Sequence, residues 1–78
     1  MRYSLKKKKE TSELHLFRAP MNGTNCQPEK SSICNKMKLS DRVADEFVCK
    51  TESIARIKCA TLGRQVCGTC VSHLYADY

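Results

Sequence analysis

Six cysteines in 78 residues constrain this chain more than any other feature. A chain of this length buries only about 60% of the surface that its unfolded form exposes, so its apolar core alone gives marginal stability. The remaining core material is thin. There is no Trp, only Phe17 and Phe47, and three Tyr, of which Tyr3 and Tyr78 lie at the ends. A bound metal or a set of disulfides is the physical reason for so many cysteines in one small domain.

The spacing of Cys26, Cys34, Cys49, Cys59, Cys67 and Cys70 leaves two staples open. Only Cys67-Gly68-Thr69-Cys70 has the two-residue gap of a zinc knuckle. Two further ligands would come from the other cysteines or His73. If residues 52–62 are helical, Cys49 and Cys59 stand roughly 15 Å apart along the axis. That is too far for a bridge, which needs Cα atoms within about 7 Å. Taken as core thiols, Cys49 and Cys59 leave Cys26, Cys34, Cys67 and Cys70 as a zinc set joining the N-terminal loop to the C-terminal turn. Three disulfides, each of these two reaching a distant partner, are the alternative.

Local patterns predict a small, mostly α, cysteine-stapled domain over residues 13–78, preceded by a disordered basic arm over 1–12. Residues 13–19 fit a short strand or a helical turn, and 20–30 read as loop. A short helix is expected from Ser31 or Ser32 through Met37. Ser40 reads as the N-cap of a helix over 41–48, with Val43, Ala44, Phe47 and Val48 on one face. Thr51 caps a second helix over 52–62, with Ile54, Ile57 and Leu62 as its buried stripe and Gly63 ending it. Val71, Leu74 and Tyr75 suggest a last helical turn or two, running toward Asp77-Tyr78.

The run Arg42 to Ile57 resembles a helix-turn-helix. Ala44 falls where the two helices touch, and Phe47, Cys49, Ile54 and Ile57 fall at buried positions. Val48 stands where that motif usually has Gly. The resemblance implies that Lys50, Thr51, Ser53 and Arg56 face a DNA major groove. The six cysteines and the Cys67-Gly68-Thr69-Cys70 ending also resemble the ShK-type domain of secreted toxins and extracellular enzymes. Two of its gaps are several residues longer here, and the channel-blocking Lys-Tyr pair has no counterpart.

The formal net charge of +6 is concentrated in residues 1–10, where Arg2 and Lys6 to Lys9 face only Glu10. Such an arm suits phosphate backbones or anionic membranes, the alternative being a solvated tail that aids solubility. No run approaches the ~18 apolar residues of a membrane span. There is no signal-peptide pattern in the first 20 residues, which points to an intracellular chain, or a secreted one whose leader is missing. Asn22-Gly23-Thr24 is a glycosylation sequon. No phosphate loop or paired apolar-site carboxylates appear, so an enzyme is not expected. The expectation is a zinc-stapled basic module that binds nucleic acid, as a regulator or accessory factor, through Lys6, Lys7, Lys8, Lys9, Lys50, Thr51, Ser53 and Arg56. A secreted disulfide-rich peptide acting on a receptor or channel, and a protein–protein adaptor, are the alternatives.

Overall fold

The computed structural model describes residues 2–75. Its centre is a three-stranded antiparallel sheet, not a helical hairpin. Strands β1 (Arg2–Lys8), β2 (Leu14–Arg18) and β5 (Arg42–Thr51) stand in the order β2-β1-β5. A small hairpin, β3 (Met21–Asn22) and β4 (Asn25–Cys26), follows β2. Helix α1 (Glu52–Leu62) leaves the end of β5 directly, and a 3-10 turn over 63–65 leads to the short helix α2 (Gly68–Leu74).

The expectation of a mostly α fold is therefore overturned, and with it the helix over 41–48 and the helix-turn-helix. The first ten residues of that motif, Arg42 to Thr51, are extended and pair with β1. The reason is visible in the register. The ladder runs from Arg2 opposite Thr51 to Lys8 opposite Arg42. It matches seven residues of β1 to ten of β5, with three irregularities. Each extra residue shifts the two-residue alternation of a strand. Val43, Ala44, Phe47 and Val48 then fall at helical spacing without being helical. The short helix expected over 31–37 is also absent, since that segment is a turn and bend closed by a bridge between Ser31 and Lys38.

The basic segment read as a disordered arm is the central strand from Arg2 onward. Alternation turns Tyr3 and Leu5 to one face, where Leu5 pairs across the strands with Leu16. Ser4 and Lys6 turn to the other face with Phe17 and His15, and all four are buried. The chain returns through a tight turn in which Ser12 takes φ 59° and Lys8 N–H donates to Glu13 O.

Helix α1 forms as expected. The Thr51 side chain accepts from Ile54 N–H, and Gly63 follows the last turn with φ 61°. The buried face differs from the expected stripe: Ala55 and Cys59 pack inward, while Ile54 and Ile57 are exposed. Small inward residues let the helix lie close on the sheet. There they join Tyr3, Leu5, Leu14, Leu16, Phe47, Val66 and Leu74 in one core. The last helical turns form as α2, which ends at Leu74, with residues 76–78 outside those described.

Candidate metal centre

His15, Cys34, Cys67 and Cys70 converge, and their four donor atoms all lie within 4.8 Å of one another. His15 Nδ1 is 3.2 Å from Cys34 Sγ and 3.9 Å from Cys70 Sγ, and Cys67 Sγ is 3.8 Å from Cys34 Sγ. Cys34 is half-buried and the other three are buried. This cluster can hold a metal ion.

Backbone bonds to β2 place each ligand. His15 sits mid-strand between Leu14 and Leu16. Ile33 N–H donates to Leu16 O at 2.8 Å, which delivers Cys34 beside His15. Cys67 N–H donates to Leu14 O at 2.7 Å, and Val66 bridges Leu14 in parallel register. The two ligand-bearing segments thus dock on the residues either side of His15. Cys70 follows Cys67 by one turn of α2 and lies on the same side. Behind the ring, Glu13 Oε1 lies 2.9 Å from His15 Nε2. A proton on Nε2 donated to that carboxylate leaves the Nδ1 lone pair directed at the thiols.

The thiols are not equivalent. Burial works to raise Cys34. Hydrogen bonds from the Ser32 hydroxyl, the Lys36 backbone, His15 and Cys70 outweigh it and bring Cys34 down to about 6. Burial pushes Cys70 up to about 12, helped by the charge of the adjacent Cys34 sulfur and opposed by smaller backbone hydrogen-bond effects at Leu16 and Cys34. Cys34 is therefore closer to thiolate than Cys70, and a bound cation would draw the proton from Cys70.

Of the cysteines expected to bind metal, the structure brings Cys34, Cys67 and Cys70 together and places Cys26 elsewhere. Cys26 is bonded to Cys49, with Cα atoms 6.0 Å apart. Cys34, Cys59, Cys67 and Cys70 are unbonded, so the three-bridge arrangement is not present. Cys59 is a buried core thiol. His15, in the fourth position, was not singled out as a ligand from sequence. Its signal was an imidazole inside the apolar run Leu14-His15-Leu16-Phe17, a place where a strand buries it.

The residues expected to meet nucleic acid do not form one face. Lys6 is buried, with Nζ 2.6 Å from Asp45 Oδ1. Lys7 and Lys8 are half-buried and Lys9 is exposed. Lys50, Thr51 and Ser53 lie at the other end of the β1–β5 ladder, roughly 20 Å away at ~3.3 Å per residue. Arg56 is held internally: it pairs with Glu52 at 3.0 Å, donates to Leu74 O and lies over the Tyr75 ring.

The lysine-bearing segment 30–38 is tied to the Lys8 end of β1. Lys8 Nζ donates to Lys36 O, Lys9 N–H to Asp41 O, and Leu39 N–H to Lys30 O. Lys30 and Lys38 border one shallow groove with Leu39 and Ser40. No helix among the described residues is long and apolar enough to cross a membrane. Comparison with family models, curated proteins and solved structures finds no match for the chain.

Proposed function

We propose that this chain is a structural-zinc module that binds the phosphate backbone of nucleic acid through its Lys8 end and catalyses no reaction. The observation that carries the reading is the Cys34-bearing loop. One segment, residues 30–38, supplies a metal ligand and carries Lys30, Lys36 and Lys38, with Lys36 O accepting from Lys8 Nζ and Lys30 and Lys38 bordering one groove.

Zinc is the favoured metal on donor chemistry. Three thiolates and one imidazole suit a soft, redox-silent ion in a closed four-coordinate site. With Zn–S about 2.3 Å and Zn–N about 2.0–2.1 Å, a tetrahedron has edges of roughly 3.5–3.8 Å. Three of the six separations are 3.2, 3.8 and 3.9 Å and all six are within 4.8 Å, so closing on an ion needs shifts of about 1 Å or less. All four positions are filled by protein, which leaves no open site for a substrate and favours a structural role. Thiolate ligands also favour a reducing, intracellular setting.

Native and denatured intact masses test the metal: the native mass should exceed the denatured one by one zinc. Fluorescence anisotropy on a random-sequence DNA duplex tests the partner. Each phosphate contact contributes about 0.9 to the slope of log K against log salt. The Lys36→Glu/Lys38→Glu variant should bind more weakly with a slope lower by about 2. Lys50→Ala/Ser53→Ala should bind as the parent does. No binding at low salt, or indifference to the charge reversal, would refute the nucleic-acid reading. A protein partner is the second reading, favoured by exposed Ile57 beside a groove lined by Phe47 and Leu62.

A further inference from the structure

We infer that Cys26 and Cys49 are a redox-active pair, distinct from the metal ligands, whose oxidation tightens the hold of the cluster on its metal. The inference rests on the zinc reading above.

The chain sorts its sulfurs into three kinds. Cys34, Cys67 and Cys70 belong to the metal cluster, Cys59 is sealed in the core, and Cys26 and Cys49 face one another at the surface. Both members of the pair are half-buried, whereas Cys59 is buried. Burial pushes the Cys59 thiol up, which keeps it inert. Metal-bound thiolates are occupied. The pair is what remains for exchange.

The two partners differ in how firmly they are held. Cys49 is fixed to the central strand: its N–H donates to Ser4 Oγ at 3.1 Å, and Arg2 donates to its carbonyl at 3.4 Å. It sits at φ 58°, where the ladder is irregular. Cys26 ends a hairpin whose strands are two residues each. Beyond it, Gln27 N–H to Pro20 O and Glu29 N–H to Arg18 O are the bonds that return the chain to the body. The bridge therefore moors a lightly held hairpin to a rigid strand.

The link to the metal is topological. The bridge closes residues 26–49 into a loop, and Cys34 lies on that loop. His15, Cys67 and Cys70 lie outside it. Metal binding and bridge formation thus restrict the same segment, and once one has restricted it the other loses less chain entropy.

The step balances with glutathione disulfide as oxidant. One thiolate of the pair attacks a sulfur of glutathione disulfide and expels one glutathione thiolate, forming a mixed disulfide. The second thiolate attacks the protein sulfur of that mixed disulfide and expels the other. Two protein thiols are oxidised to one bridge, and one glutathione disulfide is reduced to two glutathiones, which take up the two protons.

The test uses the full chain loaded with one equivalent of zinc. It is equilibrated over a series of glutathione to glutathione disulfide ratios, then alkylated and read by peptide mass. Cys26 and Cys49 should lose their label together while zinc stays bound. Zinc competition against a chromophoric chelator then compares the oxidised form, the reduced form and Cys26→Ser/Cys49→Ser. The oxidised form should bind zinc about ten- to a hundredfold more tightly than the other two, which should agree. Equal affinity in the oxidised and reduced forms overturns the inference and leaves the zinc reading standing. So does loss of label from Cys34, Cys67 or Cys70 ahead of the pair. If neither form takes up one zinc, the zinc reading itself fails and the inference falls with it.

Discussion

Lys6 Nζ lies 2.6 Å from Asp45 Oδ1, across the β1–β5 ladder, with the lysine side chain 3% exposed and the aspartate 33%. A cation from a run of four lysines is thereby part of the interior. Burial alone would raise the Asp45 carboxyl, but Lys6, by hydrogen bond and charge, and then Arg42 hold it below its ordinary value. Asp45→Asn would leave Lys6 buried without its counter-charge. A fully buried pair broken this way costs about 3–5 kcal/mol. With Asp45 one-third exposed, about 2–3 kcal/mol is expected, read by urea denaturation at neutral pH.

The same pair fixes a sign for acid sensitivity. The Asp45 carboxyl has a lower value folded than unfolded, so its contribution is fully present above the ordinary value of 3.8. It is lost as pH falls through the lower folded value. Stability measured from pH 5 down to pH 2 should fall less steeply in Asp45→Asn than in the parent. An equal slope would show that Lys6 and Asp45 do not interact in solution.

The proposed zinc site separates the cysteines by consequence. His15→Ala, Cys34→Ser, Cys67→Ser and Cys70→Ser should each abolish stoichiometric zinc binding and cooperative melting, because structural zinc contributes about 10–16 kcal/mol of apparent binding against a far smaller net stability. Cys26→Ser should keep its zinc. Cys59→Ala should keep it too and cost about 1–2 kcal/mol for the small cavity. A Cys26→Ser protein without metal, or a His15→Ala protein with it, would show a different ligand set.

Glu13 faces His15 Nε2 at 2.9 Å and would act through it on a metal held by the cluster. Outer-shell carboxylates of this kind typically carry ten- to a hundredfold in metal affinity. Because Glu13 is partly exposed, about tenfold is expected for Glu13→Ala. Chelator competition reads it, with Glu10→Ala as the neighbouring control. Parity between the two variants would remove Glu13 from the site.

Gly63 and Gly68 make a contrasting pair. Gly63 has φ 61° and ψ −125°, a conformation closed to side chains, although a Cβ there would meet nothing within 4 Å. Gly63→Ala should therefore destabilise by about 1–3 kcal/mol through backbone strain alone. Gly68 opens α2 without a positive φ and also has free space around it. Gly68→Ala should raise stability by about 0.5–1 kcal/mol, since the unfolded chain loses freedom. Thermal melts of the zinc-loaded variants decide both.

Some of this was legible from residues alone. Helix α1 was, because Thr51 and Gly63 are local signals that act within one turn. The gathering of Cys34, Cys67 and Cys70 was half-legible from the Cys67–Cys70 gap. Strand β5 was hidden because its irregular pairing erases the alternation that marks a strand. Strand β1 was hidden because burying Lys6 depends on Asp45, 39 residues away, and no local pattern carries that. His15 was hidden for the same reason. Its place in the cluster depends on which segments dock on Leu14 and Leu16.

The irregular β5 ladder also bears on colloidal behaviour. No described strand pairs with the outer edge of β5, and Val43 and Val48 are exposed along it. A flat edge ten residues long would be a template on which further chains stack toward fibrils. Three interruptions break its repeat of N–H and C=O groups, so an arriving strand finds only short stretches in register. Concentrated solutions of the zinc-loaded protein should therefore stay clear of thioflavin-positive aggregate, with the edge protected by its own imperfection.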